Sequence, residues 1–175
     1  MLTEKQLLEA RKLLESSQNP LFFFDNDTDG LTSFLLMRRY LGRGKGVVIK
    51  SFPDLNEAYT RKINELNPDY VFVLDKPIIS EKFIDFLEQQ SIPLIWIDHH
   101  PLQQEIKGLM HYFNPLNNEK PTNEPTSYWC YKITHRKEDM WLALLGCIGD
   151  WFLPEFISEF HEKYPELLEK QDTAA

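Results

Sequence analysis

At 175 residues the chain is the size of one domain, long enough to bury about two-thirds of its unfolded surface. An apolar share of 42% and an aromatic share of 13% exclude a disordered tail, while a net charge of −8 and a pI near 5.1 argue against holding nucleic acid on a broad basic face. No run approaches the roughly 18 apolar residues of a membrane span, and the opening Met-Leu-Thr-Glu-Lys lacks a signal-peptide stretch, so a cytoplasmic protein with no membrane partner is expected.

Leu7, Leu8, Ala10, Leu13 and Leu14 recur at helical spacing behind Thr3, a candidate N-cap with Gln6 three positions on, predicting a helix over 3–17 that Asn19-Pro20 ends. The run Leu21-Phe22-Phe23-Phe24 is too short for a helix and stops at Asp25, as a buried parallel strand would. Helical periodicity from Leu31 to Leu41 is broken by Gly42, Gly44 and Gly46 before Val47-Val48-Ile49, which makes one βαβ unit. A helix near 56–66, a strand from Tyr70 to Leu74, a helix near 80–90 and a strand from Leu94 to Ile97 follow. A short strand is expected from Met110 to Phe113, then a Pro/Asn-rich loop from Asn114 to Pro125. Three helices close the chain: one opened by Pro125-Thr126-Ser127 and running to Thr134, a buried one from Glu138 to Ile148, and an amphipathic one from Ile157 to Glu169. The fold class is α/β: an open parallel sheet of about five strands with helices on both faces, followed by a helical segment, in a single domain over residues 1–175.

Cys130 and Cys147 fall inside apolar helical patterns without CxxC spacing and read as buried free thiols. Ligands of open α/β sheets bind at the carboxyl ends of strands, and acids gather there in this chain. The first strand ends in Asp25-Asn26-Asp27-Thr28-Asp29-Gly30, the third in Asp75, the fourth in Asp98-His99-His100. Each piece has a bland reading: a calcium loop or exposed acidic turn, a strand-end cap, a structural histidine pair. Their shared placement gives them weight, because carboxylates so close repel unless a cation sits among them. Hard oxygen donors with imidazole and no thiolate suit Mn2+ or Mg2+.

The Asp25 to Gly30 stretch resembles the first motif of RecJ-like DHH phosphoesterases, the type that includes the archaeal GINS-associated nuclease, and Asp98-His99-His100 is the motif that names the superfamily. Asp75 resembles the second motif and Gly149-Asp150 the fourth, all in family order over about residues 20–155. The resemblance implies two metal ions, Mn2+ or Mg2+, one held by Asp27 and Asp75 with Asp25, the other by Asp29, Asp75, His99 and Asp150, with Asp75 bridging. It makes Asp75, Asp98, His99 and His100 the catalytic set, His100 the contact to substrate phosphate and Asp98 the buried partner that orients the histidines. The implied activity is two-metal hydrolysis of phosphodiester bonds in single-stranded nucleic acid or a short oligonucleotide. Trp151 and Phe152, just after Asp150, are candidates for lining the substrate channel, whereas Trp96, Trp129 and Trp141 read as packing residues.

Pro125-Thr126-Ser127 is also similar to a stretch that follows the DHH motif in archaeal members, with helix capping the simpler role for Thr126 and Ser127. Two departures stand out. Nothing after Asp150 resembles the family's glycine-rich, substrate-gripping C-terminal domain, so a separate domain or subunit is an expected partner. Lys76-Pro77 occupies a place where relatives carry a small residue; its ammonium could contact phosphate, compete with a metal or face solvent. The competing readings are an inactive Cdc45-like replication scaffold, with replication proteins as partners, and a phosphodiesterase for a small dinucleotide. The apolar Phe156, Phe160, Leu167 and Leu168 of the last helix look exposed, able to cover this domain or dock another.

Overall fold

The computed structural model describes residues 1–106, 108 and 110–167. Five strands form one all-parallel sheet in the order β2-β1-β4-β6-β7: β1 Pro20–Asp25, β2 Lys45–Ile49, β4 Tyr70–Leu74, β6 Leu94–Ile97 and β7 Met110–Phe113. The α/β expectation and its five strands hold. A second, two-stranded sheet pairs β3 Asp54–Leu55 with β5 Ile78–Ile79. Strands of two residues carry no legible alternation, and their pairing was not foreseen.

Strand periodicity divides the core in two. Phe22, Phe24, Phe72, Leu74, Ile95 and Ile97 point to one face, where they meet α1 Glu4–Ser16, α2 Thr28–Leu41, α5 Thr126–Thr134 and α6 Met140–Gly149. Leu21, Phe23, Val71, Val73, Leu94 and Trp96 point to the other, against α3 Thr60–Leu66 and α4 Glu81–Gln89. A parallel strand covered on both faces has no polar side to show, which is why β1 reads as an unbroken aromatic run.

Capping follows the sequence. Thr3 and Gln6 close a capping box on α1, Ser80 accepts from the Phe83 N–H to start α4, and Gly42 in the left-handed region ends α2. The helix expected near 56–66 begins as a 3-10 turn, Glu57–Tyr59, before α3.

Three expectations are corrected. The helix from Glu138 to Ile148 is not buried all round: α6 follows a 3-10 turn at Lys137–Asp139 and leaves Trp141, Leu145 and Ile148 exposed on one stripe, so Trp141 is not a packing residue. Phe156 and Phe160 are buried in the α2/α5/α6 core rather than exposed, and Leu167 alone of the described residues in that group faces solvent. The last helix, α7 Ile157–Lys163, ends early and passes into a 3-10 turn at Pro165–Leu167; Leu168 and Glu169 lie outside the described residues. Both cysteines are free and buried, as expected, and desolvation pushes the Cys147 thiol up to about 12. No helix among the described residues is long and apolar enough to cross a membrane.

Candidate metal centre

The carboxyl ends of β1, β4 and β6 bring the acids together, and the chain after the sheet supplies the rest. Asp27 is the N-cap of α2, accepting the Gly30 N–H at 2.8 Å. Capping there starts the helix at Thr28, earlier than apolar periodicity indicated, and puts Asp29 in the first helical turn, where a carboxylate suits the helix dipole. Gly30 is required at the next position: a Cβ there would lie 2.5 Å from the Asp25 carbonyl oxygen.

Asp29 is fully buried and held from across the fold. Its Oδ2 accepts the Thr126 N–H at 2.8 Å and its Oδ1 the Ser127 N–H at 2.9 Å, both from the amino end of α5. The capping role expected for the Thr126 and Ser127 hydroxyls is therefore filled by Asp29, and the Thr126 hydroxyl instead donates to Asp75 Oδ1 at 3.3 Å. Asp75 itself is buried with φ 58°, a left-handed conformation uncommon for a non-glycine residue, and its N–H is donated to the Ile97 carbonyl at 3.0 Å.

His99 closes the cluster. Its Nε2 lies 3.1 Å from Asp150 Oδ2 and 3.4 Å from Asp75 Oδ1, yet neither buried imidazole nitrogen makes a well-directed hydrogen bond to any described residue. A buried polar atom without a partner is costly. An imidazole nitrogen aimed between two carboxylates at these distances is the arrangement expected of a shared cation's ligands. Among the described residues, two groups of donor atoms could hold an ion: Asp29, His99 and Asp150, and Asp75, His99 and His100. Oxygen and imidazole donors without thiolate fit Mn2+ or Mg2+.

Electrostatics point the same way. Burial raises the pKa of Asp75 well above its usual value, and the charges of Asp29 and Asp27 raise it further. Burial also raises Asp29, with the Asp150 charge adding to it and Ser127 partly offsetting it. For His99 burial works downward, but the Asp150 and Asp75 carboxylates outweigh it and raise the imidazole to about 10. Without a metal, a proton on His99 is the available positive charge amid these acids.

His100 is about a third exposed, and its Nδ1 lies 2.8 Å from Asp98 Oδ1, while its N–H is donated to Asp98 Oδ2 at 3.2 Å. Asp98 thus orients His100; no hydrogen bond or ion pair joins it to His99 among the described residues. Asn114, unremarked in the sequence, donates to the His100 carbonyl at 2.8 Å; its place at the end of β7, beside three acidic strand ends, was the available signal. Trp151 follows Asp150 directly, is 98% exposed and has φ 57°. Asp25 is set apart: its Oδ1 receives the Lys76 ammonium at 2.9 Å, and Lys76 is buried rather than solvent-facing. A cavity of about 470 Å³ lined by Phe24, Asp25, Asn26, Asp27, Thr28, Leu31 and Val48 adjoins this end of the site. A second, of about 550 Å³, lies against α4, away from the cluster, and is lined by Glu81, Asp85, Glu88 and Gln104 among others, with no histidine.

The model of the DHH family, N-terminal domain, matches residues 21–148. Among solved structures, exonuclease RecJ bound to manganese superposes with a TM-score of 0.67 at 23% identity, over 85% of this chain and 44% of that one. RecJ from Thermus thermophilus in complex with Mn2+ gives a TM-score of 0.68 at 22% identity, over 86% and 25%. CDC45 from Entamoeba histolytica gives 0.60 at 13%, over 91% and 36%. These are likenesses of fold, and the chain spans less than half the length of each of these structures. No curated protein matches the sequence.

Proposed function

Since the chain belongs to the DHH family, we propose that it is a metal-dependent phosphodiesterase of the RecJ-like kind, acting as an exonuclease on single-stranded nucleic acid or on a short oligonucleotide. The observation that carries this reading is the buried trio Asp29, Asp75 and His99 with the part-exposed Asp150 beside it, where the imidazole nitrogens have no hydrogen-bond partner among the described residues and the acids repel one another. Mn2+ or Mg2+ held there would lower the pKa of water and neutralise charge on the phosphoryl group.

The chain's own residues do the rest. Asp98 accepts from His100 Nδ1 and fixes the ring, which in its imidazolium form donates from Nε2 to a phosphoryl oxygen. Thr126 and the amino end of α5 hold Asp75 and Asp29 in place. Trp151 offers an exposed ring beside Asp150 on which a base can stack. With a net charge of −8, the chain attracts a polyanion poorly, so a separate substrate-gripping domain or subunit is part of the proposal. The RecJ-like resemblance implies two ions, with Asp25 and Asp27 serving the second.

The test is hydrolysis of a 5′-phosphorylated single-stranded oligonucleotide with Mn2+, compared with a dinucleotide. Cleavage of the longer strand, abolished by Asp75→Asn, is the expected result; cleavage of the dinucleotide alone would move the substrate class, binding of Mn2+ without cleavage of either would point to the separate substrate-gripping part, and no binding of Mn2+ would count against the enzyme. A second reading, a Cdc45-like scaffold with replication proteins as partners, is favoured by one observation, the buried Lys76 ammonium already paired with a site carboxylate.

A further inference from the structure

Lys76 follows Asp75 directly and is 1% exposed. Its backbone is fixed, because the Trp96 indole donates to the Lys76 carbonyl at 2.8 Å from the adjacent strand β6. Its ammonium meets Asp25 Oδ1 at 2.9 Å, an oxygen that also accepts the Asn26 N–H at 2.8 Å. The ring of Phe52, itself 88% exposed, stands over the ammonium at 5.8 Å. A buried ammonium persists only with a counter-charge, so this pair is a fixed part of the site's wall.

The acids of the site therefore divide. Among the described residues, Asp29 with Asp150 and Asp75 with His100 form two groups of donors that share His99, whose Nε2 lies 3.1 Å from Asp150 and 3.4 Å from Asp75, whereas Asp25 and Asp27 belong to neither group. Asp27 is engaged in capping α2 and Asp25 in pairing with Lys76.

Resting on the phosphodiesterase reading above, we infer that the Lys76 ammonium stands in for a second divalent ion, so that this site takes a single metal, at Asp29, Asp75, His99 and Asp150. A divalent ion at Asp25 would have to displace a buried lysine from its carboxylate and then sit beside that positive charge. Lysine is a compact point charge with three donors, suited to a phosphate oxygen. It supplies, from within the chain, one of the two positive charges that a second ion would bring.

The test is the stoichiometry of Mn2+ binding by calorimetry, with electron paramagnetic resonance on the same samples, for the wild-type chain, Asp25→Asn and Lys76→Met. One ion with the hyperfine pattern of an isolated Mn2+ is expected in the wild type and in a folded Asp25→Asn protein, because Asp25 is not one of its ligands. Lys76→Met is expected to take a second ion, spin-coupled to the first. Two coupled ions in the wild type, or loss of an ion in Asp25→Asn, would overturn the inference while leaving the metal-dependent enzyme intact. A folded Lys76→Met protein that still binds one ion would overturn it too. If Lys76→Met does not fold, the other two proteins decide. No ion in the wild type would remove both this inference and the reading beneath it.

Discussion

Ser127 donates its backbone N–H to Asp29 Oδ1 at 2.9 Å, tying α2 to the helical segment 98 residues later. Thr126 completes the grip on the other carboxylate oxygen at 2.8 Å. An acid from α2 thus caps α5, and the free amino end of one helix holds a candidate metal ligand of another in a single orientation. The centre is assembled by packing between α2, α5 and α6, not by the acidic turn alone.

That packing has a sensitive point at Gly146, where a Cβ would lie 2.3 Å from both Ser127 Oγ and Thr32 Oγ1. Gly146→Ala is expected to destabilise the fold by about 1–3 kcal/mol in urea unfolding, and to weaken Mn2+ binding because α6 carries Asp150 at its carboxyl end. Unchanged stability and unchanged Mn2+ affinity would show that the three helices do not set the geometry of the site.

The metal-free protein should lose stability as pH rises. His99 has its pKa raised in the folded state, from 6.5 to about 10, so its contribution is fully present below pH 6.5 and is lost as pH climbs through about 10. Asp75 and Asp29, also raised, act in the same direction from 3.8 upward. Thermal melts in a chelator should fall between pH 6.5 and 10, by at most about 1.4 kcal/mol per pH unit from one proton, and His99→Gln should flatten that fall. Mn2+ affinity should rise over the same range, because the proton must leave before the metal binds.

Asp98→Asn separates catalysis from metal binding. Asp98 bonds His100, and among the described residues no hydrogen bond or ion pair joins it to Asp29, His99 or Asp150, the donor group without His100, so hydrolysis should drop by about 10–100-fold while calorimetric Mn2+ affinity stays within about threefold of wild type. A matching loss of metal would place Asp98 in the binding of the ion instead.

Trp151 combines an exposed indole with a left-handed backbone, a conformation that a bulky residue holds at a cost of order 1 kcal/mol. Trp151→Gly should therefore melt no lower than wild type, and should bind a single-stranded oligonucleotide less tightly by about 1–3 kcal/mol for a lost base stack. Unaltered affinity in fluorescence anisotropy would leave the ring without a role in binding.

Much of the fold was legible because parallel strands buried on both faces write themselves as short apolar runs ending in polar residues. Leu21 to Phe24, Tyr70 to Leu74 and Leu94 to Ile97 all do so, and the acids at their ends mark the site. Lys76 was not legible: a lysine after a strand reads as solvent-facing, and its burial depends on Asp25, a neighbour only across strands β1 and β4. The α6 stripe of Trp141, Leu145 and Ile148 misled in the opposite direction, since a helix apolar all round reads as buried whatever covers it. Phe156 and Phe160 looked exposed because what buries them, including the Tyr128 and Tyr131 rings of α5 against Phe156, is brought there only by the fold.

The central claim is that Asp29, Asp75, His99 and Asp150 form a divalent-metal centre, and its most direct test is Mn2+ calorimetry on the wild-type chain and on Asp75→Asn, with a metal-free melt of each. The account predicts binding in the wild type, weakened at least about tenfold in the variant, and a metal-free variant that melts higher because a buried, repelled carboxylate is gone. No binding by the wild type, or equal binding by both proteins, would contradict it.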